Sequence, residues 1–100
     1  MTYRSLLIVR VLAGQRAAAA DAFLTRGVLR ECSEVIPQFI AGELRQSITD
    51  PDCLCVIADW SDPQGWHDWS AHPLRTAQMA DLGAFVVAVE HSDIYAAPLT

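Results

Sequence analysis

The segment Arg4–Leu12 (RSLLIVRVL) constrains the fold more than any other part of the chain. It is apolar at both parities, with Leu6, Ile8 and Leu12 on one and Leu7, Val9 and Val11 on the other. Alternate residues of a strand point to opposite faces, so a strand with this pattern has to be covered on both sides. Phe85–Val89 has no polar face either. The chain has 100 residues, enough for one domain over 1–100 and for no second core. Its own helices can cover one side of a sheet; the other side needs a partner. Apolar residues make up 52% of the sequence, more than so small an interior holds, and a subunit interface is the expected outlet.

Ala13-Gly14-Gln15 turns the chain after the first strand. Arg16–Ile36 then reads as one helix, with Ala20, Phe23, Leu24, Val28, Cys32 and Val35 at helical spacing and Gly27 inside it. Pro37 ends it. Phe39–Thr49 alternates, Ile40, Leu44 and Ile48 opposing Glu43, Arg45 and Ser47. The short turn Asp50-Pro51-Asp52 predicts an antiparallel hairpin into Cys53–Trp60. Ser61-Asp62-Pro63 starts a helix that runs through Ser70, because an oxygen-bearing cap precedes Pro at the first helical position. His72-Pro73 interrupts, and a second piece runs from Pro73 to Leu82 with Gly83 as its stop. Phe85–Val89 and His91–Ala96 form a last strand, bent between them. The order β-α-β-β-α-β predicts an α+β, ferredoxin-like sandwich with both helical regions on one face of a four-stranded sheet. Two such sheets packed by their open faces make a dimeric α/β barrel. A C2 homodimer burying more than ~2,000 Å² is therefore expected.

A net charge of −5, with all seven basic residues Arg, excludes a field suited to nucleic acid. The longest apolar run, Ala84–Val89, is far shorter than the ~20 residues a membrane helix needs. The start shows no secretory pattern, so a cytoplasmic protein is expected. Cys32, Cys53 and Cys55 are odd in number and lack Cys-x-x-Cys spacing, which fits small buried hydrophobes. There is no Gly-rich phosphate loop. The clustered potential ligands, His67, Asp68 and His72, lack a third strong partner at suitable spacing. No metal, flavin or haem is expected.

Four features suggest a site. Trp60, Trp66 and Trp69 fall within ten residues, the last two one helical turn apart; they serve either as core or as the walls of a pocket for a flat aromatic ligand. His72, at a helix break, is a candidate base or a helix cap. Arg10 interrupts an apolar strand and needs a carboxylate or an anionic ligand. Arg75 is a second candidate for holding an anion.

Three stretches resemble antibiotic-biosynthesis-monooxygenase domains of the dimeric α+β barrel superfamily. Ile36-Pro37-Gln38-Phe39 resembles their step into the second strand, Val56–Trp60 their third strand, and Trp66–Pro73 the helix that follows. The resemblance covers about Arg4 to Ala96. It implies a cofactor-independent monooxygenase oxidising an aromatic polyketide-type intermediate, an anthrone or polyphenol, in antibiotic or pigment biosynthesis. The substrates would be that small aromatic and O₂, with His72 as base, Arg75 or Arg10 on the anion, and Trp60, Trp66 and Trp69 against the rings. Trp60 matches the family's strand Trp. Val56 stands at its Asn position, Trp66 at its pocket Tyr, and Met79 near its helix Arg. In haem-degrading relatives an iron-binding His follows a helix Trp by ten residues; Trp69 matches that Trp, but Met79 stands where the His would be. An aldol-type polyketide cyclase of the same fold and a non-catalytic ligand-binding barrel are the alternatives.

Overall fold

The structure is a computed structural model describing residues 1–100. Its elements are β1 (Tyr3–Val11), α1 (Arg16–Arg26), α2 (Val28–Val35), β2 (Phe39–Gln46), β3 (Cys53–Trp60), α3 (Pro63–Ser70), α4 (Pro73–Asp81) and β4 (Val86–Tyr95). The sheet order is β2-β3-β1-β4, antiparallel throughout. This is the expected ferredoxin-like arrangement. No helix is long and apolar enough to cross a membrane.

Register separates the two faces of the sheet. Ser5 pairs with Ala58, Leu7 with Val56 and Val9 with Leu54. This set faces the helices, and Val9 and Leu54 are fully buried against Phe23 and Ala19 of α1. The alternate set, Leu6 with Ile57 and Ile8 with Cys55, lies half-buried on the open face. The core is split in two. One cluster joins Val9, Val11, Ala19, Phe23, Leu54 and Leu82; the other joins Cys32, Ile36, Ala58, Trp60 and Trp69.

The first helical region is two helices rather than one. Gly27 adopts φ 72°, ψ 42°, and its N–H closes α1 onto the carbonyls of Phe23 and Leu24. A left-handed residue ends a helix, and glycine takes that conformation without a Cβ clash. The break re-aims the apolar stripe. Phe23, Cys32 and Ile36 are buried, whereas Leu24 and Val35, expected on the inner face, are exposed. β2 also stops short of expectation, at Gln46. Ile48 lies fully exposed in the loop, which Arg16 Nη1 pins by donating to the carbonyls of Ser47 (2.8 Å) and Asp50 (2.9 Å). A register shift between Phe39 and Ala41 leaves Ile40 exposed. Gly83 does not supply a left-handed stop; α4 is capped by Leu82 in the right-handed region. The bend foreseen near Glu90 is a register shift within one continuous β4.

Candidate functional site

Between the two core clusters, under the helices, lies a cavity of about 70 Å³ that is partly open to solvent. The sheet supplies Ser5, Leu7, Val56, Ala58, Trp60 and Ser92; the helices supply Phe23, Cys32, Trp66, Trp69, Arg75 and Gln78 among others. Asp62 and Pro63 start α3 as expected, with the Asp62 carboxylate accepting from the Gln64 N–H at 2.8 Å. That start directs Trp66 and Trp69 onto the sheet one turn apart. Gly65 makes the approach possible, since a Cβ there would lie 2.6 Å from Gln38 Cβ and 3.2 Å from Trp60 Cε3.

Trp60 is 1% exposed and donates its indole N–H to Ser5 Oγ at 2.9 Å. Phe39 packs edge-on against it, with ring centroids 5.7 Å apart. Trp60 is thus core and wall together. Arg75 also lines the cavity. The other six arginines each bond a carboxylate or a backbone carbonyl, whereas Arg75 has no protein partner.

Four of the six residues singled out in the sequence therefore meet at one cavity: Trp60, Trp66, Trp69 and Arg75. His72 and Arg10 do not line it. His72 is the cap of α4: its Nδ1 accepts the Leu74 N–H at 3.1 Å, and its ring stacks on Trp69 at 5.6 Å. A neutral imidazole whose Nδ1 is an acceptor carries its proton on Nε2, so taking up a second proton would break the cap. Arg10 is held between Asp50 (2.6 Å) and Glu90 (2.9 Å), beyond the cavity. Both residues thus have protein partners of their own, outside the lining of this cavity.

Asp50, Cys53 and Glu90 bring three potential ligand atoms within 4.8 Å of one another, a cluster that replaces the expected grouping of His67, Asp68 and His72. The cation among them is Arg10, whose hydrogen bond holds the Asp50 carboxyl down at about 2. Desolvation and the Glu90 contact push the Cys53 thiol up to about 11. All three cysteines are free thiols, as the odd count suggested.

The cavity lining contains no carboxylate and no imidazole. Burial pushes the Cys32 thiol up to about 12, so it serves neither as nucleophile nor as base near neutral pH. The residue missed in the sequence is Gln78. It is 3% exposed on α4, one turn from Arg75, and lines the cavity. Its i, i+3 spacing from Arg75 was the available signal.

No protein-family model matches the chain, and no curated protein matches it. Solved structures do. A protein from Caulobacter crescentus provisionally assigned as an antibiotic biosynthesis monooxygenase superposes with a TM-score of 0.78 at 13% identity, over 98% of this chain and 91% of that one. SnoaB, a cofactor-independent oxygenase from Streptomyces nogalater, gives 0.74 at 17% identity, over 99% and 95%. A conserved protein from Methanosarcina mazei gives 0.73 at 13% identity, over 95% and 91%. The chain has the fold of the antibiotic-biosynthesis-monooxygenase group.

Proposed function

We propose that this chain, built on the antibiotic-biosynthesis-monooxygenase fold, is a cofactor-independent oxygenase of a small polyphenol of the aromatic-polyketide type, working as a homodimer. The observation that carries the reading is the tryptophan-lined cavity whose one free cation, Arg75, has no protein partner. A cation kept beside apolar walls favours a ligand that ionises there. A phenol that ionises becomes an electron donor to O₂. One electron passes to O₂, the resulting radical pair closes a C–O bond, and the hydroperoxide loses water to leave a quinone carbonyl. Phenol plus O₂ thus gives quinone plus H₂O, with one oxygen atom retained. The protein's part is to hold the phenolate on Arg75, press the ring between the indoles and exclude water.

Two observations favour a polyphenol over an anthrone, and oxygenation over aldol cyclisation. Carbanion chemistry needs a base, and no carboxylate or imidazole lines the cavity; a phenol can enter already ionised, its proton left in bulk water. The cavity volume is about 70 Å³, against ~150 Å³ for a cavity that holds benzene. One ring can enter with its edge in the mouth, whereas three fused rings would require the lining to move. Oxygen consumption with polyphenol substrates tests the reading. The expected result is one O₂ per quinone, without released peroxide and unaffected by chelators. Ligand binding with no O₂ uptake across a panel of polyphenols would leave a binding protein instead.

A further inference from the structure

We infer that Gln78 selects the substrate: its side-chain carbonyl, clamped toward the cavity from behind, accepts a hydrogen bond from a second, un-ionised hydroxyl on the ring whose phenolate sits on Arg75. The inference rests on the oxygenase reading for its ligand and adds a requirement that reading does not contain.

Gln78 Nε2 donates to Glu31 Oε1 at 2.9 Å and approaches the Val28 carbonyl at 3.5 Å, both on α2. Those groups only accept. A flipped amide would set its oxygen against a carboxylate and a carbonyl, so the NH₂ is fixed toward α2 and the oxygen away from it. Glu31 is itself held by Arg26, which also bonds Asp81 at 2.7 Å. The hydrogen bond from Gln78, followed by that from Arg26, keeps the Glu31 carboxyl below its ordinary range, so the clamp stays ionised near neutral pH.

The front side is open. Gln78 is 97% shielded from solvent yet lines the cavity, and its Oε1 accepts no hydrogen bond from the protein. That oxygen is not sealed in the core, so a ligand hydroxyl in the cavity can reach it and donate. Arg75 precedes Gln78 by three residues, so the two side chains project from one face of α4. One offers only donors and the other only an acceptor. Two oxygens of one ring, one ionised and one protonated, match that pair; two ionised oxygens or a lone phenolate do not. A site that hydrogen-bonds a hydroxyl discriminates against the analogue lacking it, because its own polar group is then stranded.

Nitrophenols test this without turnover, because the nitro group makes them poor electron donors. Under anaerobic, mildly alkaline conditions, 4-nitrocatechol and nitrohydroquinone each offer a phenolate with a second hydroxyl, and 4-nitrophenol offers the phenolate alone. Binding is read from quenching of the cavity tryptophans and from the nitrophenolate absorption band. At least one of the two hydroxylated probes should bind about tenfold tighter than 4-nitrophenol. Gln78→Met should abolish that preference, bringing the three affinities to within about twofold of one another. Arg75→Met should weaken all three probes together. Glu31→Gln, which releases the clamp, should shrink the preference without abolishing binding. A general loss of fold would lower all affinities, so the ratio reports on Gln78 alone. Equal binding of the three probes to the wild-type protein, or a preference that survives Gln78→Met, overturns the inference. Either result leaves the oxygenase reading to be decided by O₂ uptake.

Discussion

Trp60 is both a cavity wall and a buried donor, and the two roles separate under substitution. Trp60→Phe retains an aromatic ring but removes the N–H that reaches Ser5 Oγ at 2.9 Å. Ser5 is 7% exposed and keeps only a 3.5 Å contact to the Ala58 carbonyl. The expected cost is about 2 kcal/mol, from lost volume and a stranded hydroxyl. Adding Ser5→Ala to that background should cost little more, because both polar partners are then gone; urea unfolding of the two single variants and the double variant measures the coupling. Asp50 gives the acid response. Arg10, then the Asp52 N–H, hold its carboxyl at about 2, below the ordinary 3.8. A lowered folded-state pKa stabilises fully above the unfolded value and is lost as pH falls toward the folded one. Asp59, bonded by Arg4, and Glu31 shift in the same direction. Stability should therefore fall between about pH 4 and pH 2, and Asp50→Asn should be less stable than wild type near neutrality yet converge with it at the acid end. Urea midpoints against pH test this; parallel curves would contradict it. Trp60, Trp66, Trp69 and Arg75 could be picked out by residue type and clustering. Gln78 carried only its i, i+3 spacing from Arg75, which marks a shared helix face; its role shows once α2 is seen to hold its amide.

The β3 boundaries, both helix starts near Pro63 and Pro73, and the hairpin were legible in the sequence, because each is set by local turn chemistry. Where the sequence misled, a nonlocal or backbone choice had intervened. The left-handed Gly27 split one periodic stretch into two helices, and the shift at Phe39–Ala41 undid the simple alternation of β2. His72 shows how an element can claim a residue that looks chemical. Its ring nitrogen caps α4, so His72→Ala should cost about 1 kcal/mol, whereas His72→Asn, whose side chain also caps, should recover most of it. Neither should change turnover of the folded protein by more than about twofold. A loss of activity shared by both variants at full folding would return His72 to the site as a base.

Only 16 of 100 residues are buried in a sequence that is 52% apolar, and the open face of the sheet explains where the remainder goes. The molecule measures 38 × 33 × 18 Å, broad across the sheet and two layers thick. At the centre of the open face lie Leu6, Ile8, Cys55 and Ile57, half-buried in a single chain. Around them three arginines are already paired, Arg10 with Asp50 and Glu90, Arg4 with Asp59, and Arg45 with Glu43, while Asp93, opposite Leu6, has no cation partner. A second copy can then cover the apolar centre without burying those arginines unpaired, and Asp93 sits exposed on the edge strand β4. Repulsion between two chains of net charge −5 is spread over their surfaces and screened by salt. Light scattering at micromolar concentration should give twice the chain mass of 11.0 kDa. Ile57→Asp sets a carboxylate at the centre, directly across from Glu43 in the β2–β3 register, and should yield a monomer that the new charge keeps in solution. Ile57→Leu should remain dimeric. The cavity lies on the opposite side of β1 and β3, so the Ile57→Asp monomer should still bind 4-nitrocatechol, at reduced stability. A wild-type chain that scatters as a monomer would remove the dimer; a monomeric variant that unfolds less easily than wild type would show that this face is not what the partner protects.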